Sequence, residues 1–127
     1  MLYLAYFIHF YRMSIEILII EDNPRKLETT ERYLNNISSD INITVVTCII
    51  DAKRAVKDKY FDGIVIDMQL PMRNNSSIER KGGVLILQDL DLHDIKSPRC
   101  VNTSAEDTRD TLKEAGYEAE QCIINSS

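Results

Sequence analysis

Apolar and polar positions fall in alternating blocks along this chain. Ile15 to Ile20 (IEILII) is a nearly continuous β-branched run, the pattern of a strand covered on both faces. Glu21, Asp22, Asn23 and Pro24 stop it, and Pro24 suits the first turn of a helix. Leu27, Leu34 and Ile37 then recur at helical spacing as far as residue 37, with charged residues between them. Ser38, Ser39 and Asp40 break that helix, and Ile43 to Ile50 reads as a second strand. Asp51 is placed to cap a short helix carrying Ala52, Ala55 and Val56. Phe61, Asp62 and Gly63 form a turn before a third buried strand, Ile64 to Ile66, which ends at Asp67.

The second half keeps the rhythm. A polar stretch, Arg73 to Lys81, leads to Gly82 and Gly83. Val84 to Leu92 then reads as a helix, although Val84 to Leu87 alone has the composition of a strand. Pro98 to Thr103 is a fourth strand. A helix starts at Ser104 to Asp107 and runs to Ala115, with Gly116 as its terminator. Gln121 to Ile124 is a short fifth strand. Five alternations of strand and helix predict a parallel sheet with helices on both faces.

In an open parallel sheet, ligands sit beyond the carboxyl ends of the strands, where strand order reverses. Glu21 and Asp22 leave the first strand and Asp67 leaves the third. If those strands are neighbours, three carboxylates converge on one crevice, and their repulsion calls for a cation. Oxygen ligands select a hard ion, and an open cluster with room for water and phosphate suits Mg²⁺. The alternative is ordinary: acidic residues cap helices and face solvent at strand ends.

At these residues the sequence resembles the receiver domain of bacterial two-component response regulators. The resemblance rests on Ile17 to Asn23 (ILIIEDN), Phe61 to Met72 (FDGIVIDMQLPM) and Asn102 to Asp107 (NTSAED), and covers residues 14 to 125. It implies a flavodoxin-like, doubly wound, five-stranded parallel sheet. By the resemblance, Asp67 accepts a phosphoryl group from a histidine kinase or phosphotransfer protein. Asp22 matches the direct Mg²⁺ ligand, Glu21 its neighbour, and the backbone carbonyl of Gln69 a further ligand. Ser104 matches the hydroxyl that follows the phosphoryl oxygens. The resemblance thus implies a cytoplasmic, Mg²⁺-dependent phosphorelay switch that binds partner proteins.

The sequence departs from the family in three places. Arg73 to Lys81 is longer than the usual link before the third helix and reads as an inserted loop. The family's lysine at the end of the fifth strand is missing: Asn125 or Ser126 stands there, and the nearest upstream lysine is Lys113. The family's last helix has no counterpart before Ser127, which leaves one apolar sheet face for another element to cover. The N-terminal segment, a homodimer contact, or a truncated gene each answers that shortfall.

Composition refines this reading. The chain has 127 residues, 44% hydrophobic and 28% charged, and a net charge of −5. These are the values of one globular domain, and the acidic balance argues against a nucleic-acid surface. Five of the nine aromatic residues (Tyr3, Tyr6, Phe7, Phe10, Tyr11) lie in the first thirteen positions. This apolar extension, residues 1–13, is shorter than the roughly 20 residues of a membrane span. It reads as a helix docked on the domain or as sequence upstream of a natural start at Met13, ahead of a membrane-surface anchor. Cys48, Cys100 and Cys122 form no metal-binding spacing and read as reduced thiols. Two other functions compete with the phosphorelay switch. One is a pseudo-receiver that binds a partner without phosphorylation. The other, a metal-dependent phosphatase, lacks the second close acidic residue after Asp67.

Overall fold

A computed structural model describes residues 14–103, 108–118 and 123–125. The N-terminal extension and Ser104 lie outside the described residues. Strand β1 spans Ile15–Ile20, helix α1 Pro24–Ile37, β2 Ile41–Val46, α2 Ile49–Asp58 and β3 Gly63–Ile66. A short pair, β4 (Leu70–Pro71) and β5 (Ile78–Glu79), precedes α3 (Gly82–Leu92). Strand β6 (Arg99–Thr103), helix α4 (Thr108–Glu114) and β7 (Ile123–Asn125) complete the order.

Five strands form one parallel sheet in the order β2-β1-β3-β6-β7. This is the parallel α/β sheet expected from the alternation of elements, with the five strands that the resemblance implies. Strand alternation sorts its side chains onto two faces. Leu18, Ile20, Ile64, Ile66 and Val101 point to one face, where they join Ile49, Ala52, Phe61, Leu87, Leu90 and Leu112 in the core. Helices α2 and α3 pack against each other there. Phe61 is 2% exposed, and a side chain buried so fully contributes about 1.5–3 kcal/mol.

The other face carries Ile17, Ile19, Ile43, Val45, Val65 and Asn102, by register with β1. Helix α1 lies on it, and Asn102 Nδ2 donates to Thr30 Oγ1 at 3.2 Å. None of the residues of α1 is buried. Among the described residues α1 is the helix on this side, and Ile17, Ile43, Val45 and Val65 stay half-buried. Its start follows from local chemistry. Asn23 Oδ1 accepts from the backbone N–H of Arg25 and Lys26 at 3.0 and 3.3 Å, and Pro24 needs no donor partner at the first helical position.

The second strand ends earlier than its composition predicts. Ile49 and Ile50 belong to α2, because the chain turns at Cys48 and drives Ile49, fully buried, into the core. Cys48 is the N-cap and makes no side-chain cap bond, while Asp51 lies inside the first turn. Asp51 therefore complements the helix dipole rather than capping the helix. The Arg73 to Lys81 stretch is the outer part of a hairpin, with β4 and β5 antiparallel. The hairpin is tied to the turn after β2 and to the start of α2: Thr47 Oγ1 donates to Asn74 Oδ1 at 2.6 Å and Ile50 N to Met72 O at 3.1 Å.

The glycine pair that begins α3 has a packing reason. A Cβ on Gly83 would meet Asp67 O and Met68 Cα at 3.0 Å, and one on Gly82 would meet Leu70 Cβ at 3.0 Å. The helix start thus presses against the segment that leaves β3. Gly116, at φ +91, ends α4 in the left-handed region as its position predicts. No helix among the described residues is long and apolar enough to cross a membrane.

Candidate functional site

Strands β1 and β3 are neighbours, so the condition for the acidic crevice is met. Glu21 N donates to Val46 O at 3.0 Å and Asp67 N to Ile20 O at 2.9 Å, extending the ladder to the two acidic residues. Gly83 N donates to Met68 O at 2.8 Å and holds the segment after Asp67 from the other side. Glu21, Asp22 and Asp67 each offer a carboxylate oxygen, all within 4.8 Å of one another. Glu21 and Asp67 are buried, at 3% and 5% exposure, and Asp22 is half-buried.

The electrostatics show how crowded the cluster is. Burial, a hydrogen bond to Asp67 and the Asp67 charge push the Glu21 carboxyl up to about 8, against the pull of Lys26. Burial, with the Asp67 charge adding to it, also raises the Asp22 carboxyl. In the absence of a metal, Glu21 is largely protonated at neutral pH. Asn23 N donates to Glu21 Oε2 at 3.3 Å and orients that side chain.

One cation enters the cluster that the sequence pattern had not singled out. Lys26 Nζ donates to Asp67 Oδ1 at 3.0 Å and lies 3.6 Å from Glu21 Oε1. Burial disfavours its ammonium, but the bond and charges of Asp67 and Glu21 outweigh that and raise its pKa. A signal existed in the chain: a lysine in the first turn of a helix opposes the dipole, and so needs a compensating anion nearby. Gln69 lies two positions after Asp67, in the bend before β4, with an exposed side chain. Ser104, the remaining candidate, is outside the described residues.

All three carboxylates are hard oxygen donors, and a divalent cation would offset both the burial and the Asp67 charge that raise Glu21. The donor set therefore fits Mg²⁺. Cys48 is buried and Cys100 half-buried, and neither is among the three acidic residues of the cluster.

Comparison with known proteins agrees with the fold. No family model matches the sequence. The uncharacterised protein y4jS of Sinorhizobium fredii is 31% identical over 86 residues, 66% of this chain and 21% of that protein. This chain thus spans about a fifth of the curated relative it matches. Among solved structures, the receiver domain of a Pseudomonas aeruginosa sensor histidine kinase superposes with a TM-score of 0.69 at 21% identity. The match covers 89% of this chain and 85% of that one, and that structure has a magnesium ion coordinated in its active-site cleft. The receiver domain of Francisella response regulator 1452 gives 0.64 at 17% identity, covering 89% and 84%. The signal receiver domain of a Vibrio parahaemolyticus LuxO-type repressor gives 0.63 at 19%, covering 89% and 78%. The chain has the fold of response regulator receiver domains.

Proposed function

We propose that this chain is a phosphorelay receiver: Asp67 accepts a phosphoryl group from a histidine kinase or phosphotransfer protein, and the change alters partner binding. The observation that carries the reading is the position of Asp67 at the end of β3, within 4.8 Å of Glu21 and Asp22. In the transfer, an oxygen of Asp67 forms a bond to phosphorus as the bond to the donor breaks, and the donor leaves with the electron pair. Glu21, Asp22, Asp67 and the carbonyl of Gln69 would hold Mg²⁺, which supplies charge neutralisation on the phosphoryl oxygens. Capture of the ion requires Glu21 to lose its proton. The buried walls of the crevice exclude water from one side of Asp67, and Gly83 fixes the backbone that presents it.

Phosphorylation adds acceptor oxygens and one to two negative charges. Ser104, just after β6, is the hydroxyl placed in sequence to follow them and carry the change toward α4. The protein would act in the cytoplasm, where its phosphodonors reside. A pseudo-receiver that works without phosphorylation is the second reading, favoured by the neutral Asn125 at the end of β7.

Incubation with Mg²⁺ and acetyl phosphate tests the choice by intact-protein mass. The receiver reading expects a gain of one phosphoryl group that disappears in Asp67→Ala. No gain in the folded wild-type protein, or the same gain in the variant, sinks it.

A further inference from the structure

Resting on that reading of Asp67, we propose that Lys26, at the start of α1, is the catalytic ammonium of this site and binds the incoming phosphoryl oxygens. The inference begins with placement. Asn23 Oδ1 holds the Lys26 backbone N–H at 3.3 Å, which fixes the root of the side chain beside the crevice. The side chain then reaches back to Asp67 Oδ1 at 3.0 Å. The Lys26 side chain is about a quarter exposed, at 26%, against 6% for the Asp67 side chain, so Lys26 stands on the solvent side of Asp67. A phosphoryl donor approaches Asp67 from that solvent side.

The charge balance demands such a group. The incoming phosphoryl carries negative charge toward a cluster of three acidic side chains, and repulsion opposes it at short range. A divalent ion offsets part of this. By the family resemblance, a lysine at the end of the fifth strand would be expected to add the remaining positive charge. Here the register pairs Thr103 with Asn125 at that place, and residues 114–127 contain neither lysine nor arginine. Lys26 supplies the charge from the opposite side of the site, from α1 instead of β7.

The step balances without further reagents. A carboxylate oxygen of Asp67 bonds to phosphorus, the P–O bond of acetyl phosphate breaks, and acetate leaves with the electron pair. As Asp67 becomes an acyl phosphate its negative charge passes to the phosphoryl oxygens. Lys26 follows that charge by a small rotation of its flexible stem, exchanging the carboxylate for a phosphoryl oxygen.

The test uses Lys26→Met, which keeps the stem and removes the charge, and Lys26→Arg, which restores a cation. The full chain is incubated with acetyl phosphate and Mg²⁺, and initial incorporation is followed by mass. Mg²⁺ affinity is measured separately by calorimetry. A lost charge-assisted bond predicts incorporation slower by about 10- to 100-fold in Lys26→Met. Mg²⁺ affinity should be unchanged or tighter, since a competing cation is gone, and Lys26→Arg should recover part of the rate. Wild-type incorporation on Asp67 with an equal rate in Lys26→Met overturns the role of Lys26 and leaves the receiver reading intact. A parallel loss of rate and Mg²⁺ affinity also overturns it, because Lys26 would then merely shape the site. Wild-type protein with no Asp67-dependent incorporation overturns both.

Discussion

The proton held between Glu21 and Asp67 makes the stability of the metal-free domain fall as the solution becomes alkaline. An unfolded glutamate ionises near 4.5, whereas burial and the neighbouring Asp67 raise Glu21 to about 8 in the folded chain. Between those values the folded chain holds more protons than the unfolded one, so stability decreases with rising pH. Each pH unit inside the window costs about 1.4 kcal/mol. From pH 6 to pH 9, about two such units lie below the folded value, which sums to about 3 kcal/mol. Lys26, whose pKa is raised, stays charged in both states over that range and does not contribute to the slope.

Glu21→Gln mimics the protonated carboxyl, keeps a donor toward Asp67 and removes the titration. The variant should match wild type at pH 6 and exceed it by about 3 kcal/mol at pH 9. Urea unfolding followed by far-UV circular dichroism, in EDTA at both pH values, measures the difference. Comparing the two proteins cancels the titration of every other group. Parallel pH profiles for wild type and Glu21→Gln would refute the shared proton. With saturating Mg²⁺ the wild-type slope should shrink, since a bound cation displaces that proton.

Three further outcomes follow from the packing. Gly83→Ala forces a methyl to within 3.0 Å of Asp67 O and Met68 Cα, and should destabilise by about 1–3 kcal/mol in urea while weakening Mg²⁺ binding through the displaced Asp67. Asn23→Ala removes the side-chain acceptor for Arg25 N and Lys26 N, and thermal unfolding should show a loss of about 0.5–2 kcal/mol. Thr47→Ala cuts the 2.6 Å bond to Asn74. It should leave global stability within about 0.5 kcal/mol but speed tryptic cleavage at Arg73 and Arg80, which limited proteolysis reads directly.

Much of this molecule was legible along the chain. The β-branched run of Ile15 to Ile20 and the Ile64 to Ile66 run needed no neighbour to be read as strands, because side-chain alternation and burial on both faces are written in short-range pattern. Pro24 and Gly116 marked helix ends for equally local reasons, a preset φ and a freely reached positive one. The convergence of Asp22 and Asp67 was foreseeable too, since a parallel sheet brings the carboxyl ends of neighbouring strands together.

What lay beyond the chain's local pattern depends on distances through space. Ile49 and Ile50 carry strand propensity, yet the turn at Cys48 and the pocket under α2 draw Ile49 into a helix. The polar Arg73 to Lys81 stretch looked like a bare loop until Pro71 paired with Ile78. Lys26 is one of many surface-spaced lysines in sequence, and its role arises from a side chain folding back to an aspartate 41 positions away. Residue types and spacing marked where acidic groups gather. Which of them keeps its proton, and which cation answers them, follows from burial and ångström-scale approach, and those exist in the folded chain alone.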